Sequence, residues 1–308
     1  MRALINYLIF PGFLFSLIIG GMGWWLERKF TARFQYRVGP PWYQSFVDIM
    51  KLFLKETVIP RGASKILFIL SPLVTLSAVI IFNLMLAETY FLDKSFVGDI
   101  LVMLYLLIIP SLFIILGATS SRNPLALVGA SRETKLMLSY EFVFIISLVI
   151  IIIKSNGNLM LADIVNNQAI HGMYLKSASG AIGFILALFY IQAKLGIVPF
   201  DAAEAEQEIM AGTVIEYSGP LLGFYRTAKA LLYFSLPLFV ITLFGQIATS
   251  NPIHKYLAAF VEYLIIILLM SVIKNINPRL RIKEILTFFW FFLFPLGILG
   301  IILAIKGL

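Results

Sequence analysis

The stretch PFDAAEAEQEIMAGTVIEYSGP, residues 199–220, places five carboxylates between two long apolar runs. The flanking runs, 179–198 and 221–247, are typical of membrane-spanning helices. A carboxylate close to lipid is costly and by default marks an ion path or a paired network. The five carboxylates are Asp201, Glu204, Glu206, Glu208 and Glu216.

If this acidic segment is helical, Asp201, Glu204 and Glu208 share one face and Glu206 lies nearly opposite. Like charges that lie close raise one another's pKa, so some of these groups are expected to be neutral, or to share a proton, near pH 7. Groups of this kind suit a proton or cation relay. The alternative at this point is a solvated acidic loop that binds nothing.

The rest of the chain is mostly hydrocarbon. Of its 308 residues, 60% are hydrophobic and only 13% are charged, about half the charged fraction of a soluble domain. The apolar runs are long and continuous, which disfavours a β-barrel. The sequence therefore predicts an all-α polytopic membrane protein with a single membrane domain, 1–308. The eight predicted spans cover about 3–26, 64–87, 97–118, 137–153, 179–198, 221–247, 255–273 and 285–305.

Cofactor ligands are scarce in this sequence. Cysteine is absent, and the two histidines, His171 and His254, fall in separate predicted loops. A disulfide, a thiolate-held cluster and a zinc site of the cysteine type are thereby excluded. We expect no metal site and no redox cofactor in this chain, so that electrons in any redox complex travel through a partner. The net charge is +8, but the basic residues lie between spans, which disfavours nucleic-acid binding.

The distribution of basic residues predicts the topology. With eight spans, fifteen lysines and arginines fall on one side and six on the other. The positive-inside rule then places both termini outside and the acidic segment in the cytoplasm. The first cytoplasmic connection contains an amphipathic stretch, 42–58, which predicts a helix that lies in the interface or docks on a partner. Arg226 and Lys229 open the sixth span and either pair with the acidic segment or extend to the surface.

Several motifs, in the same order along the chain, resemble the H-type membrane subunit of respiratory complex I and its relatives in membrane-bound nickel–iron hydrogenases. The combination is specific, although no single motif is. The motifs are Glu27-Arg28-Lys29, Arg37-Val38-Gly39-Pro40, Asp48 with Lys51-Leu52 and Lys55-Glu56, Arg132-Glu133, Ser139-Tyr140-Glu141, Pro199-Phe200-Asp201 with Ala203-Glu204-Ala205-Glu206 and Glu208, Ala211-Gly212, Glu216-Tyr217-Ser218-Gly219, and Arg279 with Arg281.

The resemblance implies an eight-span subunit without its own cofactor, at the junction of a peripheral electron-transfer arm and a membrane ion-pumping arm. It implies peripheral hydrogenase-like and iron–sulfur subunits, small membrane subunits and antiporter-like subunits as partners in the plasma membrane. Ion coupling is expected at Asp201, Glu204, Glu206, Glu208, Glu216, Glu141 and Glu262. Docking of the peripheral arm, or charge balance, is expected at Arg28, Arg33, Arg37, Arg132, Arg279 and Arg281, for which ordinary positive-inside topology is the alternative.

At two places the sequence departs from the complex I pattern and resembles the hydrogenase branch of the family instead. Gly39-Pro40 runs directly into Pro41-Trp42, and Lys194 to Val198 contains neither the acid nor the arginine that complex I has before Pro-Phe-Asp. The branch implies that ferredoxin passes electrons to a nickel–iron subunit without a quinone. A sulfur-reducing complex and a quinone-reducing complex I remain as alternatives, and a stand-alone cation transporter is the alternative from another class.

Overall fold

The computed structural model describes residues 7–92, 95–245 and 252–308, and every regular element in these ranges is helical. The helices are α1 (Phe13–Phe34), α2 (Gln44–Leu54), α3 (Lys65–Leu92), α4 (Asp99–Ser120), α5 (Pro124–Lys154), α6 (Leu161–His171), α7 (Ala178–Lys194), α8 (Gly219–Val240, continued by a π-helical turn, Ile241–Gly245), α9 (Pro252–Ile276) and α10 (Ile282–Ile305, with a π-helical stretch, Phe288–Leu293).

The predicted membrane class is confirmed. Six predicted spans coincide with helices long and apolar enough to cross a membrane, namely α3, α4, α5, α8, α9 and α10. The fifth predicted span is α7, a shorter apolar helix of 17 residues, and the first corresponds to the 22 residues of α1. The count of eight spans and the placement of both termini outside stay predictions.

Two helices differ clearly in their bounds from the predicted spans. The first span, predicted at 3–26, becomes a continuous helix only at Phe13, after Pro11 and Gly12, while residues 1–6 lie outside the described part of the chain. The fourth span, predicted at 137–153, begins much earlier. The side chain of Asn123 accepts a hydrogen bond from the backbone N–H of Leu125 at 2.8 Å, and a proline follows the cap, so that α5 starts at residue 124.

The amphipathic helix is shorter than predicted. It covers Gln44–Leu54 instead of 42–58, and Lys55 is extended. The backbone N–H of Val58 donates to Oγ of Ser218 at 3.2 Å, which holds this strand-like segment against the start of α8. Upstream, the ring of Phe53 packs edge-on against Phe224 of α8 at 5.4 Å.

The core of the bundle is built around α8. In its most apolar part, 94% of the residues are buried, whereas α9 and α10 bury only 28% and leave large apolar side chains exposed. Phe239 of α8 packs against Phe82 of α3 and Phe144 of α5. Phe144 in turn stacks on Tyr190 of α7 at 4.0 Å. The most enclosed helix is therefore the one that follows the acidic segment.

The contact between α1 and α8 depends on a glycine. A Cβ added at Gly20 would lie 2.0 Å from the carbonyl oxygen of Ala230. We expect Gly20→Ala to destabilise the protein by about 1–3 kcal/mol, because the two helices must move apart. Thermal unfolding of the purified protein measures this. Gly62→Ala is the control, since its added Cβ would meet only a flexible side chain at 3.9 Å, and equal melting temperatures for both variants would contradict the expectation.

Candidate functional site

The acidic segment that links α7 to α8 is not a continuous helix. It forms turns, with a four-residue helix at Glu206–Ile209 and a 3-10 turn at Gly212–Val214. The backbone at Met210 and Ala211 is left-handed, which interrupts a right-handed helix. The predicted arrangement of three carboxylates on one helical face is therefore wrong. The side chain of Glu206 lies outside the described part of the structure.

Tertiary contacts give the carboxylates separate cationic partners. Nε of Arg279 lies 3.1 Å from Oδ1 of Asp201, and a guanidinium nitrogen of Arg132 donates to Oε2 of Glu208 at 2.6 Å. Burial raises the pKa of Asp201, and the charge of Arg279 opposes this shift without cancelling it. The hydrogen bond from Arg132 lowers the pKa of Glu208. The pair at Glu208 is largely exposed, so it contributes little to stability.

Glu204 faces two cations of α8. Its Oε2 lies 3.5 Å from Nζ of Lys229. Burial alone would raise the pKa of Glu204, but the charges of Lys229 and Arg226 outweigh that effect and lower it. Of the two alternatives for Lys229, pairing with the acidic segment and extension to the surface, the structure shows the pairing. Glu204 is therefore ionised near pH 7, whereas sharing a proton was one sequence-based expectation.

An open cleft, which we call the entrance cleft, borders these pairs. It encloses about 560 Å³, and Asp201, Glu204 and Lys229 are among its lining residues. A further ion pair in its wall joins α1 to α9, with Nζ of Lys274 donating to Oε1 of Glu27 at 2.8 Å. Glu27 is only 2% exposed. Its buried carboxylate therefore has a cationic partner, as those of Asp201 and Glu204 do.

A smaller space, the central cavity, continues from the entrance cleft into the bundle. It encloses about 80 Å³, and both spaces are lined by Asp201, Glu204, Arg226 and Lys229. Its deeper wall includes Glu133 of α5. A cavity of this volume holds a few water molecules and is well below the roughly 300 Å³ of a small-molecule pocket. Within this chain it suits water and small ions.

A buried polar network begins at Glu133. The hydroxyl of Tyr140 donates to Oε1 of Glu133 at 3.2 Å and lies 2.8 Å from Oγ of Ser111. Nζ of Lys194 donates to Ser111 at 3.0 Å and to Oε1 of Glu141 at 2.6 Å. Ser111, Glu133 and Lys194 also line the central cavity. The network therefore joins the water-sized space to a carboxylate in the middle of α5.

The ion pair of Lys194 and Glu141 is enclosed by the bundle. The two side chains are 1% and 8% exposed. The ammonium also lies over the rings of Tyr140 and Tyr190, 5.3 and 5.9 Å from their centroids, in a cation–π arrangement. The second oxygen of Glu141, Oε2, is buried and has no hydrogen-bond partner among the described residues. That oxygen is available to a proton or a water molecule.

The remaining predicted carboxylates lie apart from this network. Oε1 of Glu216 accepts a hydrogen bond from the side chain of Asn123. Glu262 lies beside Gly245, at the end of α8 opposite to the acidic segment. No group of three or more potential ligands within the described ranges could hold a metal ion.

The predicted arginines divide into two sets. Arg28 pairs with Asp48 of α2 at 3.4 Å, and Arg132 and Arg279 pair with the acidic segment as described above. The others, Arg33, Arg37 and Arg281, have exposed side chains at the same end of the bundle.

Sequence reasoning does not assign Glu133 and Lys194 to the site. The predicted spans 97–118 and 137–153 leave Glu133 in a loop, because the charged residues before the apolar run hide the helix that starts at Pro124. Lys194 has a usable signal, since a lysine inside the predicted span 179–198 marks a functional position by default. What the sequence cannot show is that Lys194 of α7 meets Glu141 of α5.

The comparisons with known proteins agree with this architecture. The NADH dehydrogenase family matches residues 6–305. The H-type subunit of the NADH-quinone oxidoreductase of Dehalococcoides mccartyi is 30% identical over 97% of this chain and 86% of its own length. The corresponding protein of Thermomicrobium roseum is 33% identical over 97% of this chain and 95% of its own.

A solved structure of the membrane-bound sulfane sulfur reductase, an archaeal respiratory membrane complex, contains a similar chain. The TM-score is 0.89 at 25% identity, and the match covers 99% of this chain and 100% of that one. The resemblance to the H-type membrane subunit of complex I is thereby confirmed. This chain belongs to the NADH dehydrogenase family and is a multi-pass membrane subunit of a respiratory complex.

Proposed function

We propose that this chain couples electron transfer in neighbouring peripheral subunits to proton or sodium translocation across the membrane. The observation that carries the proposal is the enclosed ion pair of Lys194 and Glu141, which hydrogen bonds join to a cavity lined by Glu133 and Glu204. A structural ion pair alone needs no polar connection to the surface. This pair has one, through the central cavity and the entrance cleft.

The ion pairs that line the entrance cleft and the central cavity supply the charged groups that the proposed relay requires. A change of charge in a neighbouring subunit alters the balance at Asp201 and Glu204, each of which faces a cation at 3.1 or 3.5 Å. Water in the central cavity brings a proton or cation to Glu133. The hydroxyls of Tyr140 and Ser111 connect that carboxylate to the ammonium of Lys194. Lys194 in turn donates to one oxygen of Glu141, and the other oxygen is the one that accepts the proton or cation.

The energy scale fits a relay of carboxylates. Moving one elementary charge across 100 mV requires about 2.3 kcal/mol. A shift of one pKa unit corresponds to about 1.4 kcal/mol. A change of about two units at one carboxylate therefore matches the work of moving one charge.

We propose that the electrons come from ferredoxin and that the iron–sulfur clusters and a nickel–iron centre lie in partner subunits, with antiporter-like and small membrane subunits beside this chain in the plasma membrane. The exposed Arg33, Arg37 and Arg281 are suited to docking the peripheral arm. A sulfur-reducing complex is the second candidate, because a chain of the sulfane sulfur reductase has the same fold. Nickel analysis of the purified complex separates the two, since only the hydrogenase contains nickel.

Two carboxylate variants test the coupling role. We expect Glu141→Gln and Glu204→Gln to abolish ion uptake while the complex still assembles and its peripheral arm still reduces an artificial acceptor. The reason is that each amide keeps the shape of the side chain but can no longer carry the charge. Ion uptake by inverted membrane vesicles, driven by the electron donor, measures the effect.

Asp163→Asn is the control for these variants. It removes a carboxylate from α6, at the other end of the bundle, and should leave ion uptake unchanged. Full ion uptake in both glutamine variants would refute the coupling role.

A further inference from the structure

A second polar cleft lies at the opposite end of the bundle, where α5 ends and α7 begins. We call it the far-end cleft. It encloses about 690 Å³, more than either space at the acidic segment. Three basic side chains line it, from Lys154, His171 and Lys176. No Asp or Glu side chain among the described residues lines it, so the two lysines give the lining of the cleft an excess of positive charge.

The polar groups of the far-end cleft are only partly satisfied. Nζ of Lys154 donates to the hydroxyl of Ser179 at 3.1 Å, and that hydroxyl in turn donates to an oxygen of Leu308, so Lys154 has no Asp or Glu partner in the described part of the chain. Tyr174 is 5% exposed, and its buried hydroxyl has no hydrogen-bond partner within the described ranges. An unpartnered buried hydroxyl indicates a missing ligand or water. Tyr174 is a lining residue of the cleft, so an unsatisfied buried donor lies next to the basic side chains.

The local backbone adds to this excess of positive charge. The 17-residue helix α7 begins at this cleft, and its N-cap, Ser177, is one of the lining residues. A helix N-terminus carries a partial positive charge that favours an anion. The helix end and the three basic side chains therefore favour the same kind of ligand.

One rim of the far-end cleft is apolar. Ile153 at the end of α5, and Ala304 and Ile305 at the end of α10, line it. The side chain of Ile305 is 70% exposed, and it belongs to a helix that buries few of its residues. An anionic group bound by the lysines would thus have hydrocarbon beside it, as the headgroup of a lipid does at a membrane surface.

We propose that the far-end cleft binds the phosphate of an anionic membrane lipid. The phosphate lies between Lys154 and Lys176 and accepts from the hydroxyl of Tyr174, and the acyl or alkyl chain lies along Ile153 and Ile305. Free inorganic phosphate shares the head chemistry but makes no use of the apolar rim. This site is separate from the relay, so its ligand does not depend on the proposed coupling function.

Native mass spectrometry of the purified complex tests the proposal with two probes, phosphatidylglycerol and zwitterionic phosphatidylcholine. The complex should retain phosphatidylglycerol at this site. Lys154→Gln combined with Lys176→Gln should lose one bound phosphatidylglycerol per complex, with an apparent affinity about tenfold weaker or more, since each lysine attracts an anionic headgroup.

Two further variants keep the test specific. Lys55→Gln combined with Lys283→Gln removes two exposed lysines at the other end of the bundle and should leave the lipid count unchanged. Lys154→Arg combined with Lys176→Arg keeps the charge and should keep the lipid.

Four results would overturn the proposal. These are an equal lipid count in the wild type and the glutamine variant, loss of lipid from the arginine variant, equal retention of phosphatidylcholine, and complete displacement of the lipid by inorganic phosphate. The last result would assign the cleft to a soluble anion.

Discussion

Replacing Lys194 with methionine is expected to abolish ion translocation and to destabilise the protein by about 3–5 kcal/mol, the cost of leaving one member of a buried ion pair unpaired. The ammonium is 1% exposed and lies 2.6 Å from Oε1 of Glu141, so its removal leaves a buried carboxylate without its cationic partner. Thermal unfolding of the purified complex and ion uptake by inverted vesicles measure the two effects.

A double variant separates stability from function. Lys194→Met combined with Glu141→Gln removes both charges, and replacing a buried ion pair by neutral groups is often close to neutral for stability. We expect the melting temperature to recover most of its loss while ion uptake stays absent. If Lys194→Met alone moves ions at the wild-type rate, Lys194 has no part in the relay.

The second large effect is expected at Gly212, which shapes the acidic segment. Its φ is +48°, and an added Cβ would lie 2.0 Å from the carbonyl oxygen of Ala203. Gly212→Ala therefore meets both a left-handed backbone and a clash with another part of the same segment. We expect a loss of stability of more than about 1 kcal/mol, the usual cost of strain at such a position. We also expect weaker ion coupling, because Asp201 and Glu204 move with Ala203.

Gly157→Ala is the control that separates the backbone strain at a positive φ from the steric clash of the added Cβ. Gly157 has a φ of +84° but no atom within 4 Å of an added Cβ, so it measures the backbone effect alone. Its melting temperature should fall less than that of Gly212→Ala, and its ion uptake should stay normal. Equal effects of the two substitutions would mean that the contact with Ala203 is unimportant.

The helices of this protein were largely predictable, because their signal is local. A long apolar run indicates a membrane span without any knowledge of the helices that pack against it. Most of the predicted span bounds lie within a few residues of the ends of the observed helices. The error at α5 arose where charged residues such as Arg132 and Glu133 continue a helix beyond the apolar run. Asn123 followed by Pro124 is a typical signal for the start of a helix. Applied strictly, this capping signal predicts a helix that contains Glu133.

The site was predictable only in part, because its geometry depends on distant partners. The carboxylates Asp201, Glu204 and Glu208 were identified from sequence, but their conformation is set by cations from other elements. A helical wheel cannot anticipate turns that are held by Arg279, more than seventy residues further along the chain. The structure therefore replaces a cluster of repelling acids with a series of ion pairs, and the roles of these residues stay predictions.

The enclosure of α8 restricts what can move during turnover. A helix packed on all sides cannot slide or tilt by itself without displacing its neighbours, because a close-packed interior leaves no free volume for such a shift. The backbone that carries Arg226 and Lys229 is thus held in place by its neighbours, while their side chains line the central cavity and the entrance cleft. Under the proposed coupling role, we therefore expect the movements during turnover in the acidic segment and its side chains rather than in α8.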